Sequence, residues 1–202
     1  GKLRGVRITE AHMEEDPGRY DLKSGQTDFN RSGTTLIEVV TDPDMTSPQE
    51  ARDFLDEFQS ILEYLGAARE DAGSTRVDAN VSIKGSNRVE VKNINSFKGV
   101  FTALNYELTR QRTMLKNNME VIQETRHFDE DRGTTVGMRK KETIADYRQI
   151  PDPDIPPLQI DESFIGVVQQ SLHELPSSKR KRFVEQYSIR EEEAFAICLE
   201  QE

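Results

Sequence analysis

His12, Glu14, Glu15 and Asp16 stand within one five-residue stretch, and two further acids, Asp78 and Glu90, stand on segments that alternate polar and apolar side chains. Carboxylate oxygens beside an imidazole are donors that a hard divalent cation such as Mg²⁺ or Mn²⁺ accepts. Carboxylates gathered in one hollow repel each other unless a cation neutralises them. The plain alternatives are a solvated acidic turn for residues 12–16 and cross-strand pairing of Asp78 and Glu90 with Arg88 or Lys92.

A second set, Lys92-Asn93-Ile94-Asn95-Ser96, falls where a strand gives way to a helix. A helix N-terminus offers unpaired N–H groups to a phosphate, and Asn95 or Ser96 can equally serve as its cap. No Gly-x-Gly and no Gly-Lys-Ser/Thr occurs, so a nucleotide would not be held by a P-loop. Two stretches are locally basic: Lys98, Arg110, Arg112 and Lys116 against Glu107, and Lys179 to Arg182 with Arg190 against Glu185. Either suits a phosphate backbone or a solvated helix face. No Gly-x-Ser-x-Gly elbow is present, Cys198 lies on the apolar side of a helix, and His127 and His173 lack partners at ligand spacing, so these three read as structural.

The elements that must carry these residues are legible from periodicity. Val6 and Ile8 alternate with Arg7 and Thr9, an acidic stretch follows to a Pro17-Gly18 turn, and Thr34 to Thr41 is β-branched and apolar enough to be covered on both faces. Ser47-Pro48-Gln49-Glu50 opens a helix with Phe54, Leu55, Phe58, Ile61, Leu62 and Leu65 on its buried face, ended by Gly66. Thr75–Lys84 and Arg88–Lys92 form a hairpin around Gly85-Ser86-Asn87. A helix then runs to about Asn117 with Val100, Leu104, Leu108 and Leu115 inward, and Val121–Glu130 pairs with Thr134–Lys140. Pro151 to Pro157 is an extended loop. Glu162–His173, Ser178–Tyr187 and Arg190–Gln201 are helical, which places a domain boundary near residue 161.

With 202 residues, net charge −10, no Trp and 34% hydrophobic residues, the chain suits one domain plus the start of another. Bulk attraction to nucleic acid is excluded by that charge, so any contact uses local basic patches. A lone cysteine excludes an internal disulfide and fits a reducing, cytoplasmic compartment. No apolar run is long enough to span a membrane. Gly1 in place of Met and an end in mid-pattern at Glu202 read as an excerpt.

Several ordered stretches resemble one family: Ile8-Thr9-Glu10-Ala11-His12-Met13-Glu14-Glu15-Asp16-Pro17-Gly18, Asp28-Phe29-Asn30-Arg31-Ser32-Gly33 with Leu36-Ile37-Glu38-Val39-Val40 and Asp42-Pro43-Asp44, Arg76 to Ser82, Val89 to Phe97, Glu124-Thr125-Arg126, Asp146-Tyr147-Arg148 and Pro151 to Pro157. The chain resembles the B subunit of the tRNA-dependent aspartyl/glutamyl amidotransferases, of archaeal type. The resemblance implies an α+β fold, a cradle of antiparallel or mixed sheet with packed helices over residues 1–161, and the beginning of an all-helical domain over 162–202. It implies a ligase that uses ATP and Mg²⁺ to phosphorylate the side-chain carboxylate of Glu on tRNA(Gln) or Asp on tRNA(Asn). Ammonia, freed from glutamine by the amidase (A) subunit, would then displace phosphate, with the small C subunit as a further partner.

By motif, Glu14, Glu15, Glu90 and His12 would hold metal, Glu15, Glu90 and Asp78 would be catalytic, and Lys92, Asn93 and Asn95 would lie near phosphate or the acceptor end. Some of these carboxylates would serve ammonia transit instead. Glu15 and Glu90 are expected to gather in one hollow. Gln149, Ile150 and Ala72-Gly73-Ser74-Thr75 depart from the family pattern. The family's upstream segment, with further Glu and His ligands, and its tRNA-gripping tail lie outside the sequence, so the excerpt alone is expected to be inactive. Two other readings are a non-catalytic RNA-binding or scaffold protein and the related E subunit. The latter carries a large insertion where only a short stretch separates Met138 from Pro151.

Overall fold

The computed structural model describes residues 1–16, 18–20, 24–68, 75–138 and 156–198. Pro17 of the expected turn, the 72–74 departure, the strand end after Met138, the Asp146-Tyr147-Arg148 motif with Gln149 and Ile150, the first five residues of the proline loop and the last residues of the final helix lie outside them. The fold is α+β, and the chain divides into two compact units, Gly1–Phe54 and Leu55–Glu202.

The first unit is built on a long ribbon. Strand β2 (Val6–Glu15) pairs antiparallel with β5 (Thr35–Thr41), and β1 (Lys2–Leu3) adds a short edge beside β2. The small pair β3 (Arg19–Tyr20) and β4 (Thr27–Asp28) lies between them in sequence. Gly18, at φ +90°, passes so close to the Asp28 carbonyl oxygen that a Cβ would sit 2.8 Å from it, which only glycine permits. Arg7 anchors the ribbon's base: its guanidinium donates to Asp44 at 2.9 and 2.8 Å and lies 3.0 Å from Asp42. Hydrogen bonds from Arg7 hold the Asp44 carboxyl down at about 2. The acidic stretch is therefore strand as far as Glu15, not a turn. Strand β5 is not covered on both faces within the structure, since Ile37 is 56% exposed.

Helix α1 (Pro48–Tyr64) begins as expected, with the Glu50 N–H donating to Ser47 Oγ at 3.2 Å and the Glu50 carboxylate reaching back to the Thr46 N–H at 2.6 Å. Its buried positions differ from those expected. Phe54 is buried, but so are Ala51, Glu57, Ser60 and Tyr64, while Leu65 is exposed.

The second unit holds a mixed four-stranded sheet in the order β6 (Val77–Val81), β7 (Val89–Ile94), β8 (Glu124–Asp129), β9 (Thr134–Gly137). The two outer pairs are antiparallel, and β7 runs parallel to β8, so the chain crosses between them through α2 (Phe97–Lys116). Val89, Val91 and Ile94 are wholly buried, with Val81, Val100, Ala103, Val121 and Phe128 beside them in the core. Burying each of these valine, isoleucine and phenylalanine side chains contributes about 1.5–3 kcal/mol.

Two buried residues of α2 are polar, Glu107 and Gln111, while Leu104, Leu108 and Leu115 are only half-buried. The inward stripe is thus shifted from the expected leucines because Glu107 has inward partners to satisfy it. Ser96 caps α2, accepting from the Gly99 N–H at 2.9 Å.

One irregularity shapes the sheet. Val77 lies opposite Ile94 while Ala79 lies opposite Val91, so β7 spends one residue more than β6 over that interval. The extra residue is a bulge at Asn93, whose φ of +65° falls in the left-handed region. Asn tolerates that conformation better than other non-glycine residues. Asn93→Val is expected to cost about 1–2 kcal/mol in urea unfolding, and Asn93→Gly to cost little. Equal losses for both would show that backbone strain is not what position 93 accommodates.

Three helices close the second unit: α3 (Glu162–Ser171), α4 (Pro176–Tyr187) and α5 (Glu191–Ile197). Asp161 caps α3, and Pro176 opens α4 at a position where a missing N–H leaves no gap. These helices join α1: Arg180 pairs with Glu57, Lys179 Nζ donates to Tyr64 Oη at 3.3 Å, and Tyr64 Oη donates to the Cys198 carbonyl at 3.1 Å. With Arg182 bound to Glu174 at 2.6–3.1 Å and Lys181 3.9 Å from Glu185, all four clustered cations of α4 have partners within the second unit.

Candidate functional site

Glu14 and Glu15 lie in the first unit, and Asp78 and Glu90 lie in the second. Side chains alternate across a strand, and directly paired residues share a face. The register of β2 with β5 therefore sorts the ribbon into two faces. One carries Glu10, His12 and Glu14 with Glu38 and Leu36. The other carries Ala11, Met13 and Glu15 with Val39, Ile37 and Thr35.

His12 stands directly opposite Glu38, and its Nε2 lies 3.5 Å from Glu10 Oε1. Within the ribbon, the two adjacent glutamates expected to share a metal point to opposite faces, so the acidic face presents Glu14 and not Glu15. Glu38 does not stand out in the sequence as a ligand, although its signal is there, a lone acid in an otherwise apolar strand. The reverse face is apolar and open, with Met13 82% exposed opposite Ile37. Among the described residues, no group of three or more His, Cys, Asp and Glu side chains is arranged to hold a metal ion.

In the second unit the sheet's outer face is polar. Glu90 and Lys92 of β7 point outward because Val89 and Val91 point inward, and β6 and β8 bring Asp78 and Thr125 alongside. The Lys92 ammonium lies 3.1 Å from Asp78 Oδ2 and 3.3 Å from Glu90 Oε1. Burial opposes its charge, yet the two carboxylates raise the Lys92 pKa above the ordinary lysine value. Thr125 Oγ1 donates to the other Glu90 oxygen, Oε2, at 3.0 Å. Asp78 and Glu90 are thus brought together, by Lys92 and not by Arg88. A cation already lies between them, so this pair offers a divalent ion less than the acidic face of the ribbon does.

Asn93 sits at the bulge next to Lys92, and Asn95 lies two residues beyond it. They line a hollow of about 470 Å³ with His127, Phe128, Asp129, Glu130 and Asp131. The Asn93 amide nitrogen lies 2.8 Å from His127 Nδ1. His127, which reads as structural in the sequence, is therefore part of this hollow; parallel pairing with β7 puts it there, and no local spacing announces that. Ser96 Oγ donates to Glu130 Oε1 at 2.8 Å, so a carboxylate already stands at the start of α2. The α2 N-terminus is occupied by its own cap and ringed by acids. Phosphate is poorly received there.

A family model described as the GatB/GatE catalytic domain matches residues 1–166. Curated relatives, each named as the B subunit of an aspartyl/glutamyl-tRNA(Asn/Gln) amidotransferase, align along the chain. That of Methanothermobacter thermautotrophicus is 52% identical over 202 residues, all of this chain and 45% of the relative. That of Methanopyrus kandleri is also 52% identical over 202 residues, 44% of its length, and that of Methanobrevibacter smithii is 52% identical over 200 residues, 99% of this chain and 44% of its own. The chain spans a little under half the length of these relatives. It belongs to the GatB/GatE catalytic-domain family and is similar to part of a tRNA-dependent amidotransferase subunit.

Proposed function

We propose that the chain is the catalytic-cradle part of an amidotransferase subunit that acts on Glu-tRNA(Gln) or Asp-tRNA(Asn) in the cytoplasm. ATP converts the side-chain carboxylate to an acyl phosphate with release of ADP. Ammonia from glutamine, delivered by an amidase partner, then forms the C–N bond as phosphate leaves. The observation that carries this reading is the alignment at 52% identity along the whole chain with relatives of that name. An unactivated carboxylate is a poor acceptor for ammonia, and phosphorylation supplies the leaving group it lacks.

Three roles follow from this chain's residues. Among the described residues, the side chains of the ribbon's acidic face form no ready cluster of three or more ligands. Mg²⁺ needs only one or two carboxylates when phosphates and waters complete its shell, and Glu14 and Glu38 on that face, with His12 and Glu10 near them, would supply them. A bound ion there would offset the repulsion between substrate carboxylate and phosphates. Glu90 and Asp78, held by Lys92, accept the proton that the incoming nitrogen sheds as the amide forms. Asn93, Asn95 and His127 offer uncharged polar contacts to a sugar or base, which suits the nucleoside end of ATP or the acceptor end of the tRNA better than a polyphosphate.

The test is turnover by the full-length protein in complex with its partners, supplied with ATP, glutamine and misacylated tRNA. Glu90→Gln is expected to lower amide formation about tenfold, which corresponds to about 1.4 kcal/mol of barrier. Mg²⁺ titration by calorimetry is expected to weaken in Glu14→Gln and Glu38→Gln and to persist in Glu15→Gln. ATP-independent turnover, or none with the misacylated tRNAs, would sink the reading in favour of a scaffold.

A further inference from the structure

Thr125 sits between two residues turned into the protein. On one side Glu124 accepts from Arg126 Nη1 at 2.8 Å and lies 3.3 Å from Arg110. On the other, Arg126 donates to Thr135 Oγ1 at 2.8 Å and to the Thr135 carbonyl at 2.7 Å. Strand alternation then leaves Thr125 only the outer face of the sheet. The parallel register sets it beside Glu90, where its hydroxyl donates to Oε2. Each Glu90 oxygen thereby has one assigned partner, Lys92 on Oε1 and Thr125 on Oε2. A carboxylate oxygen has two acceptor positions, so one on each remains for an incoming N–H.

We propose that Thr125 is a positioning residue: it fixes the rotation of the Glu90 carboxylate so that a free lone pair meets the nitrogen being amidated. This rests on Glu90 acting as the proton acceptor described above. In that step an N–H bond breaks, an O–H bond forms on Glu90, and the proton passes on to solvent. A carboxylate held by Lys92 alone can swing about its Cγ–Cδ bond, so the fraction of time in the productive orientation falls. Substrate binding does not involve Thr125, so KM is untouched.

The experiment uses the full-length protein in its complex, with kcat and KM measured for misacylated tRNA at saturating ATP and glutamine. Thr125→Val and Thr125→Ala are each expected to lower kcat about fivefold with KM unchanged, and Thr125→Ser to restore it to within about twofold. The Thr125→Val/Glu90→Gln double variant is expected to be no slower than Glu90→Gln alone, because the hydroxyl acts only through that carboxylate. Losses that add in the double variant, or a Ser variant as slow as Val, would overturn the positioning role. Full activity in Glu90→Gln would instead remove the reading of Glu90 on which the proposal stands. A tenfold loss there with no loss in Thr125→Val would leave that reading intact and reject Thr125 alone.

Discussion

Glu107→Ala is expected to destabilise the protein by about 3–5 kcal/mol, read as a lowered urea midpoint at pH 7. Glu107 is wholly buried on α2 and accepts from Arg110 at 2.9 and 2.7 Å, from Gln111 at 2.9 Å and from Thr135 at 3.0 Å, with Arg126 at 3.6 Å. Removing the carboxylate leaves two guanidinium groups in the interior with one acid, Glu124, between them. A loss of that size is a large share of the total stability of about 5–15 kcal/mol typical of a domain.

The pH dependence has a definite sign. Burial pushes the Glu107 carboxyl up, but hydrogen bonds from Arg110, Gln111 and Thr135 outweigh it and hold the group below its ordinary 4.5. Its contribution is therefore complete above 4.5 and is lost as the pH falls through the lower folded value. Glu107→Gln keeps a carbonyl acceptor but cannot titrate, and its stability is expected to depend less on acid below pH 4.5 than that of the parent. A Glu107→Ala midpoint within about 1 kcal/mol of the parent would show that the network is dispensable.

Arg180→Ala is the second large loss, expected at about 3 kcal/mol. Its partner Glu57 is buried on α1, and the Glu57 Oε1 atom has no hydrogen-bond partner among the described residues. Taking away the guanidinium strands a charge in the interior. Arg180 also lies 5.5 Å from the centre of the Phe195 ring, so α5 loosens with it. Glu57→Gln/Arg180→Met, which removes both charges and keeps the bulk, is expected to recover most of the loss. Thermal melts of the single and double variants decide it: a double variant as unstable as Arg180→Ala would mean that packing, not charge, carries the contact.

These two sites mark where sequence reading stops. Strands and helices with clean periodicity are legible: α1 and its Ser47 cap, the β6–β7 hairpin and the Ser96 start of α2 all follow from spacing. Glu107 is not, because a lone glutamate on a helix looks solvated until Arg110, Arg126 and Thr135, from its own helix and two strands, close around it. The cations of α4 are equally ambiguous. Lys179, Arg180 and Arg182 suit a phosphate backbone or a solvated helix face equally, and their partners Tyr64, Glu57 and Glu174 are visible only once the helices pack. At the candidate site the residue types are legible and their directions are not. Glu14 and Glu15 differ by one position, and in a strand one position is the difference between two faces. Lys92 suits phosphate by its neighbours in the chain, whereas its neighbours in space are Asp78 and Glu90.

Lys92 and Asn93 together stand opposite Asp78, so Val91 and Ile94 both face the core although two residues lie between them. Laid out as a regular strand, the same residues would put Ile94 on the wetted side. Substitutions at position 93 disturb one backbone angle and deletion of Asn93 leaves Ile94 inward, but a one-residue insertion would exchange inside for outside along the segment that leads into the crossover. One-residue insertions are for that reason expected to be tolerated in the 82–88 loop and rejected between Val91 and Ser96, a contrast that an insertion scan scored by soluble expression would expose.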